Sequence, residues 1–135
     1  MKSHLIIIGL SSALFTGCAS SYEPSSLLLP GGYSETKLGP DVVRIVFRGN
    51  SSTRPERAQD LALLRAADLS LQSGYPYFSV LEENSETRRS TSNDITTQMP
   101  KTGILVQFLK EKSTGQLTYD AAFLFRSLKE KYNIK

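Results

Sequence analysis

Thiols and imidazoles are almost missing from this chain: its 135 residues hold one cysteine, Cys18, and one histidine, His4. A single thiol closes no intrachain disulfide, so stability must come from a core rather than from staples. Charge of one sign is lacking too. The 16 Lys and Arg against 13 Asp and Glu leave a net charge of +3, scattered rather than striped, which is no nucleic-acid footprint. The most it allows is a weak attraction to anionic surfaces. No apolar run approaches the ~20 residues that span a bilayer. What remains is ordinary for a globular protein, 39% hydrophobic and 21% charged residues, and the length fits one domain with appendages. The lone Cys18 is then a nucleophile, a metal ligand, a buried apolar residue or a chemical handle.

Its surroundings favour the handle. Met1-Lys2-Ser3-His4 is a short basic start, LIIIGLSSALF is an apolar run over residues 5 to 15, and the small Thr16 and Gly17 precede Cys18. This stretch resembles a bacterial lipoprotein signal peptide ending in a lipobox. It departs from that pattern at Phe15, where leucine is preferred, although Leu14 stands one place earlier. The resemblance implies a diacylglyceryl group on the Cys18 sulfur, cleavage before Cys18, and acylation of the new amine. Two or three acyl chains, at ~0.8 kcal/mol per buried methylene, anchor stably where one does not. Ala19 in place of an aspartate implies the outer membrane, with the chain lipid-anchored on its periplasmic face. The plainer alternatives are an uncleaved helix with a buried cysteine, or a simply secreted protein. Cleavage would remove Lys2 and His4, leaving 15 basic against 13 acidic side chains. Ser-His-Asp and Cys-His pairs and histidine zinc sites would go with them. No cofactor, no metal and no enzymatic activity are expected.

The organisation that follows is a signal peptide over 1–17, a lipidated N-terminus and flexible tether over 18–31, and a single α+β periplasmic domain over 32–135 with a polar loop near 84–102. Within the tether, Leu27, Leu28 and Leu29 can dip into a membrane interface, dock on a partner or pack on the domain edge. In the domain, YSETKL (33–38) has modest strand potential, and Gly39-Pro40-Asp41 is turn material. VVRIVFRGN then alternates with period 2, setting Val43, Ile45 and Phe47 on one face. The two segments predict a hairpin. Thr53 with Glu56 reads as a capping box around Pro55, opening a helix to about Ser73 that Gly74 and Pro76 end. Ala58, Leu61, Ala62, Ala66 and Leu69 line one side of it, and Leu64 and Leu71 widen the stripe. YFSVLEE (77–83) predicts a strand with Phe78 and Val80 on one face. Residues 84–102 are polar, either a mobile loop or the outer part of a long hairpin. GILVQFLKEK (103–112) predicts a strand with Ile104, Val106 and Phe108 opposite Leu105, Gln107 and Leu109. A last helix covers about 119–132, with Ala121, Phe125, Leu128 and Tyr132 on one side and Thr118 or Asp120 as cap. The expected architecture is a two-layer β-β-α-β-β-α sandwich: a small, mainly antiparallel sheet with two helices on one face.

Five elements follow one another along the chain: GGYSE (31–35), F-x-G-N ending at Asn50, L-x-R-A-A ending at Ala67, G-Y-x-Y-F ending at Phe78, and Tyr119-Asp120-Ala121. Together they resemble a family of small, mostly uncharacterised proteobacterial envelope lipoproteins. The resemblance spans most of residues 31–125, except the 84–102 segment, and implies no activity, substrate or catalytic residue.

Arg65 lies inside the apolar helix stripe, four residues from both Leu61 and Leu69. An arginine there needs a partner such as Asp120, Asp68 or backbone carbonyls. The reading favours a structural salt bridge over a ligand-binding role. Arg48 near the next helix start reads as a solvated charge rather than an anion site. Glu82, Glu83 and Glu86 fit no acid/base or calcium signature. Tyr75, Tyr77 and Phe78 read as packing. Arg88 and Arg89 offer a weak protein or lipopolysaccharide contact.

These observations lead to one expected function and two alternatives. The expected one is an anchored envelope lipoprotein working by protein–protein contact, an accessory or structural subunit of an outer-membrane or trans-envelope assembly such as a secretion system. Its partners are the membrane, through acyl chains on Cys18, and other envelope proteins, with no nucleic acid. The first alternative is a periplasmic lipoprotein that binds or senses a lipid, peptide or glycan. The second, a hydrolase using Ser with Lys or carboxylates alone, has only the abundance of serines behind it.

Overall fold

The computed structural model describes residues 22–25 and 31–135. The signal-peptide segment, Cys18 and Leu27–Leu29 lie outside the described residues.

The chain folds as β1 (Gly32–Lys37), β2 (Val42–Arg48), α1 (Pro55–Gln72), β3 (Tyr77–Ser92), β4 (Ile95–Leu109), β5 (Tyr119–Asp120) and α2 (Ala121–Lys131). The strands form one sheet in the order β1-β2-β4-β3-β5, with every neighbouring pair antiparallel. β2 and β3, joined by α1, both pair with β4 and therefore run parallel to one another with β4 between them. This is the α+β sandwich that the sequence predicts, with a two-residue fifth strand where the last helix was expected to begin.

Alternation in the strands sets the inner face. Val43, Ile45 and Phe47 of β2, Phe78 of β3, and Ile104, Val106 and Phe108 of β4 are buried against Ala58, Leu61, Ala62, Leu64, Ala66, Ala67 and Leu69 of α1. Alanines let the helix backbone approach the sheet. α2 lies beside α1 and buries Ala121 and Leu128. Leu71 is more than a third exposed and falls outside the stripe.

Helix boundaries follow local chemistry, with one correction. The N-cap of α1 is Arg54, and no side chain caps it. Thr53 instead points back: its hydroxyl donates to Asn50 Oδ1 at 3.1 Å and accepts from the Asn50 amide at 3.1 Å. Pro55 fixes the first helical position, so the capping box gives way to a closed Asn50–Thr53 turn. Gly74 ends the helix region at φ +78°, a value that glycine adopts freely. Asp120 caps α2, with Oδ1 accepting from the Phe123 amide at 2.9 Å.

Two expectations about irregular segments are corrected. Residues 84–102 form the outer part of a long hairpin, not a polar loop. Their pairing runs from Asn84↔Gly103 to Ser92↔Ile95, closed by Asn93 and Asp94 at φ 49° and 63°. Such left-handed pairs make the tight turn whose twist matches a hairpin. Serine, threonine and arginine reach water on both faces of this arm, so no hydrophobic alternation marks it as strand. It is held instead by cross-strand links such as Thr91–Thr96 at 3.0 Å and Lys101–Glu86 at 2.8 Å. The second correction concerns the tether. Tyr22 to Ser25 dock on the domain, with Ser25 donating to the Tyr33 carbonyl and the Tyr33 amide to the Glu23 carbonyl, both at 2.8 Å.

Candidate functional site

The residues that looked most patterned in the sequence join the fold together. The Arg65 guanidinium meets Glu35 Oε2 at 2.7 Å through Nε, Glu35 Oε1 at 3.2 Å through Nη2, and Asp68 Oδ2 at 2.8 Å through Nη1. Its plane lies over the Tyr33 ring, 4.3 Å from the centroid. Tyr22 stacks at a tilt on Tyr33, with centroids 5.1 Å apart, and donates to Asp68 Oδ2 at 3.2 Å. Burial, and next the Asp68 carboxylate, push the Tyr22 hydroxyl above the ordinary tyrosine range. Of the partners the sequence suggests for Arg65, Asp68 is present and Asp120 is not, because Asp120 caps α2. Glu35 is the partner the sequence missed.

The remaining elements meet in the same way. Ser70 of α1 donates to the Tyr75 and Tyr77 carbonyls at 2.9 and 3.1 Å. Tyr119 stacks on Phe78 at 5.2 Å, and the Ala121 amide donates to the Pro76 carbonyl at 3.0 Å. A Cβ on Gly49 would sit 2.6 Å from Thr53 Cβ and 2.9 Å from Pro100 Cγ, closer than atoms pack. The five elements are therefore joints: GGYSE meets L-x-R-A-A, and G-Y-x-Y-F meets Tyr-Asp-Ala.

The surface left available lies elsewhere. α1 packs on the inner sheet face, and α2 lies beside α1 next to β5. The opposite, outer face carries Val42, Arg44 and Val46 of β2, with Lys101, Gly103, Leu105 and Gln107 of β4, none of them buried. It holds a cleft of about 650 Å³ lined by Arg44, Val46, Glu82, Lys101, Gly103 and Leu105, among others. Val46 and Leu105 supply apolar surface, Gly103 leaves the sheet bare, and charges of both signs stand around them. The Lys101 ammonium bridges to Glu86 at 2.8 Å, and that hydrogen bond holds the Glu86 carboxyl below its usual range. Gly103 is not required sterically, since a Cβ there would meet only Val46 Cγ2 at 3.8 Å and the Asn84 carbonyl at 3.9 Å. A cleft so lined offers an extended segment apolar contact, backbone access and ionic partners at once.

Arg88 and Arg89 stand exposed on the hairpin arm, apart from the Arg65 cluster. The cleft residues carried no motif. Their only sequence signal is that strand 103–109 is apolar at Leu105 and Leu109 as well as on the face that packs the core. Arg48 lies at the end of β2 and reaches Ser34 Oγ at 3.4 Å. Among the described residues no group of His, Cys, Asp or Glu is placed to hold a metal ion, and no helix is long and apolar enough to cross a membrane. The chain matches no known protein family, and no curated protein or solved structure shows significant similarity to it.

Proposed function

We propose that this protein is a lipid-anchored envelope protein that works by protein–protein contact through the outer face of its sheet. One observation carries the contact reading. Among the described residues neither helix packs on the outer sheet face, and that face holds a cleft that is part apolar and lined with both charges. The anchor reading rests on the lipobox-like segment ending at Cys18, and the family likeness drawn from the five sequence elements supports the same placement. In this reading the acyl chains on Cys18 hold the domain at the periplasmic face of the outer membrane, and an accessory role in a larger envelope assembly follows.

The test is cross-linking in intact bacterial cells with a photoreactive residue at Arg44, followed by mass spectrometry, with Cys18→Ser as control. A stoichiometric envelope partner that the control loses is expected. Recovery of monomer alone would refute contact, and failure of Cys18 to incorporate labelled palmitate would refute the anchor. The same concavity supports a second reading, a bound peptide, lipid or glycan. Native mass spectrometry of protein from mild membrane extracts separates the two, since only this reading predicts a small-molecule adduct.

A further inference from the structure

The sheet ends on one side in an edge that nothing in the described protomer covers. β5 pairs only with Tyr77 and Phe78, so β3 runs on alone beyond them. A bulge between Val80 and Glu82 interrupts its register, and the hairpin turn at Asn93 and Asp94 stops it. The regular free edge is therefore Glu82–Ser92, and its midpoint is Thr87. An unpaired edge of this length is a template for another strand.

Its charges are sorted. Glu82, Glu83 and Glu86 precede Thr87, whereas Arg88 and Arg89 follow it. An edge protected by repulsion needs one sign of charge along its length; a sorted edge attracts its own inverse. We propose that the β3 edge pairs antiparallel with the β3 edge of a second copy, about a two-fold axis at Thr87. This register gives the longest overlap between bulge and turn, and it is isologous, as a two-fold contact must be. Thr87 faces Thr87 of the second copy, a favourable cross-strand pair. Glu86 faces Arg88 of the second copy on each side of the axis, on one sheet face as the two-residue period requires. Ser85 then faces Arg89, Asn84 faces Ser90, Glu83 faces Thr91 and Glu82 faces Ser92, so no like charges lie directly opposite. Moving the axis to Glu86 sets two glutamates face to face. Moving it to Ser85 drives the turn of each copy against β5 of the other. Glu86 keeps Lys101 at 2.8 Å on its inner side and gains the arginine on its outer side.

Edge pairing alone covers far less than the roughly 1,600 Å² of a standard interface, so the dimer is transient and is read by cross-linking. The experiment uses the full chain in mild detergent with Cys18→Ser, which makes the introduced thiol the only one. Thr87→Cys should cross-link to itself through a short bismaleimide, mapped by mass spectrometry. Thr91→Cys should not, because the two copies of that position lie about 26 Å apart in this register. Added to Thr87→Cys, Arg88→Glu or Glu86→Arg should each lower the yield by about tenfold. An equimolar mixture of the two should restore it, because every position 86 then faces opposite charge at position 88. Arg88 has no hydrogen-bonding partner among the described residues, so Arg88→Glu is the variant that leaves the protomer intact. Equal yields from positions 87 and 91, unchanged yield on charge reversal, or no recovery in the mixture would each overturn the pairing. The inference does not depend on lipidation and fails or stands apart from it.

Discussion

Replacing Arg65 by alanine tests whether this arginine serves the fold. Its side chain is 13% exposed, against 32% for Glu35 and 20% for Asp68, so the ion pairs are neither dry nor fully solvated. An exposed pair contributes at most about 1 kcal/mol, while removing one partner of a buried pair costs about 3–5 kcal/mol. Partial burial, a two-pronged grip on Glu35 and the stacking on Tyr33 place Arg65→Ala at about 2–3 kcal/mol. For a domain of this size that is a fall in Tm of about 10 °C, read by thermal unfolding followed by circular dichroism. Arg65→Lys should recover only part, since a lysine ammonium cannot grip both Glu35 oxygens or stack flat on Tyr33. A double-mutant cycle with Glu35→Gln should return a coupling of about 1 kcal/mol. A Tm within about 2 °C of the parent, together with loss of a cross-linked partner, would refute the structural assignment and make Arg65 a binding residue.

Gly49→Ala should cost about 2 kcal/mol, because the new methyl meets Thr53 and Pro100 at distances under 3 Å; urea unfolding measures it. Gly103→Val should leave the urea midpoint near the parent value, since its Cβ has ordinary room, while filling the cleft and abolishing cross-links from its rim. Retained capture with a filled cleft would move the contact surface elsewhere. In an alkaline titration followed by tyrosinate absorbance, Tyr22 should give a late-ionising step, because burial and the Asp68 carboxylate hold its proton, and Tyr22→Phe should remove that step. The sign is fixed by burial: the unfolded chain loses the Tyr22 proton near pH 10 while the folded chain keeps it. The stability this group contributes is therefore complete below pH 10 and declines as pH rises beyond it.

The core was legible because it is periodic. Val43, Ile45 and Phe47, the alanine-rich side of α1, and Ile104, Val106 and Phe108 all repeat with the spacing of their element, and each is buried. Asp120 was legible as a cap because an aspartate beside a helix start has few other local uses. The hairpin arm was only half legible, since a strand wet on both faces carries no apolar alternation. Thr53 misled because its hydroxyl had two partners within reach, and the Asn50 turn took it. Glu35 was invisible as the partner of Arg65, because 30 residues and a register separate them. The cleft was least legible of all. It arises where β2, β3 and β4 meet, and no short stretch of chain encodes it.

The docking of Tyr22 has a geometric consequence for the anchor. A tether ending at Gly31 would let the domain roam, but Tyr22 is already fastened to Asp68 and Tyr33. Only four peptide steps separate it from Cys18, a span of at most about 14 Å when fully extended. With acyl chains on Cys18, that leash is shorter than the domain is wide. The side bearing β1 and the first helix would then face the bilayer surface, and the domain's orientation, not merely its location, would be set by lipidation.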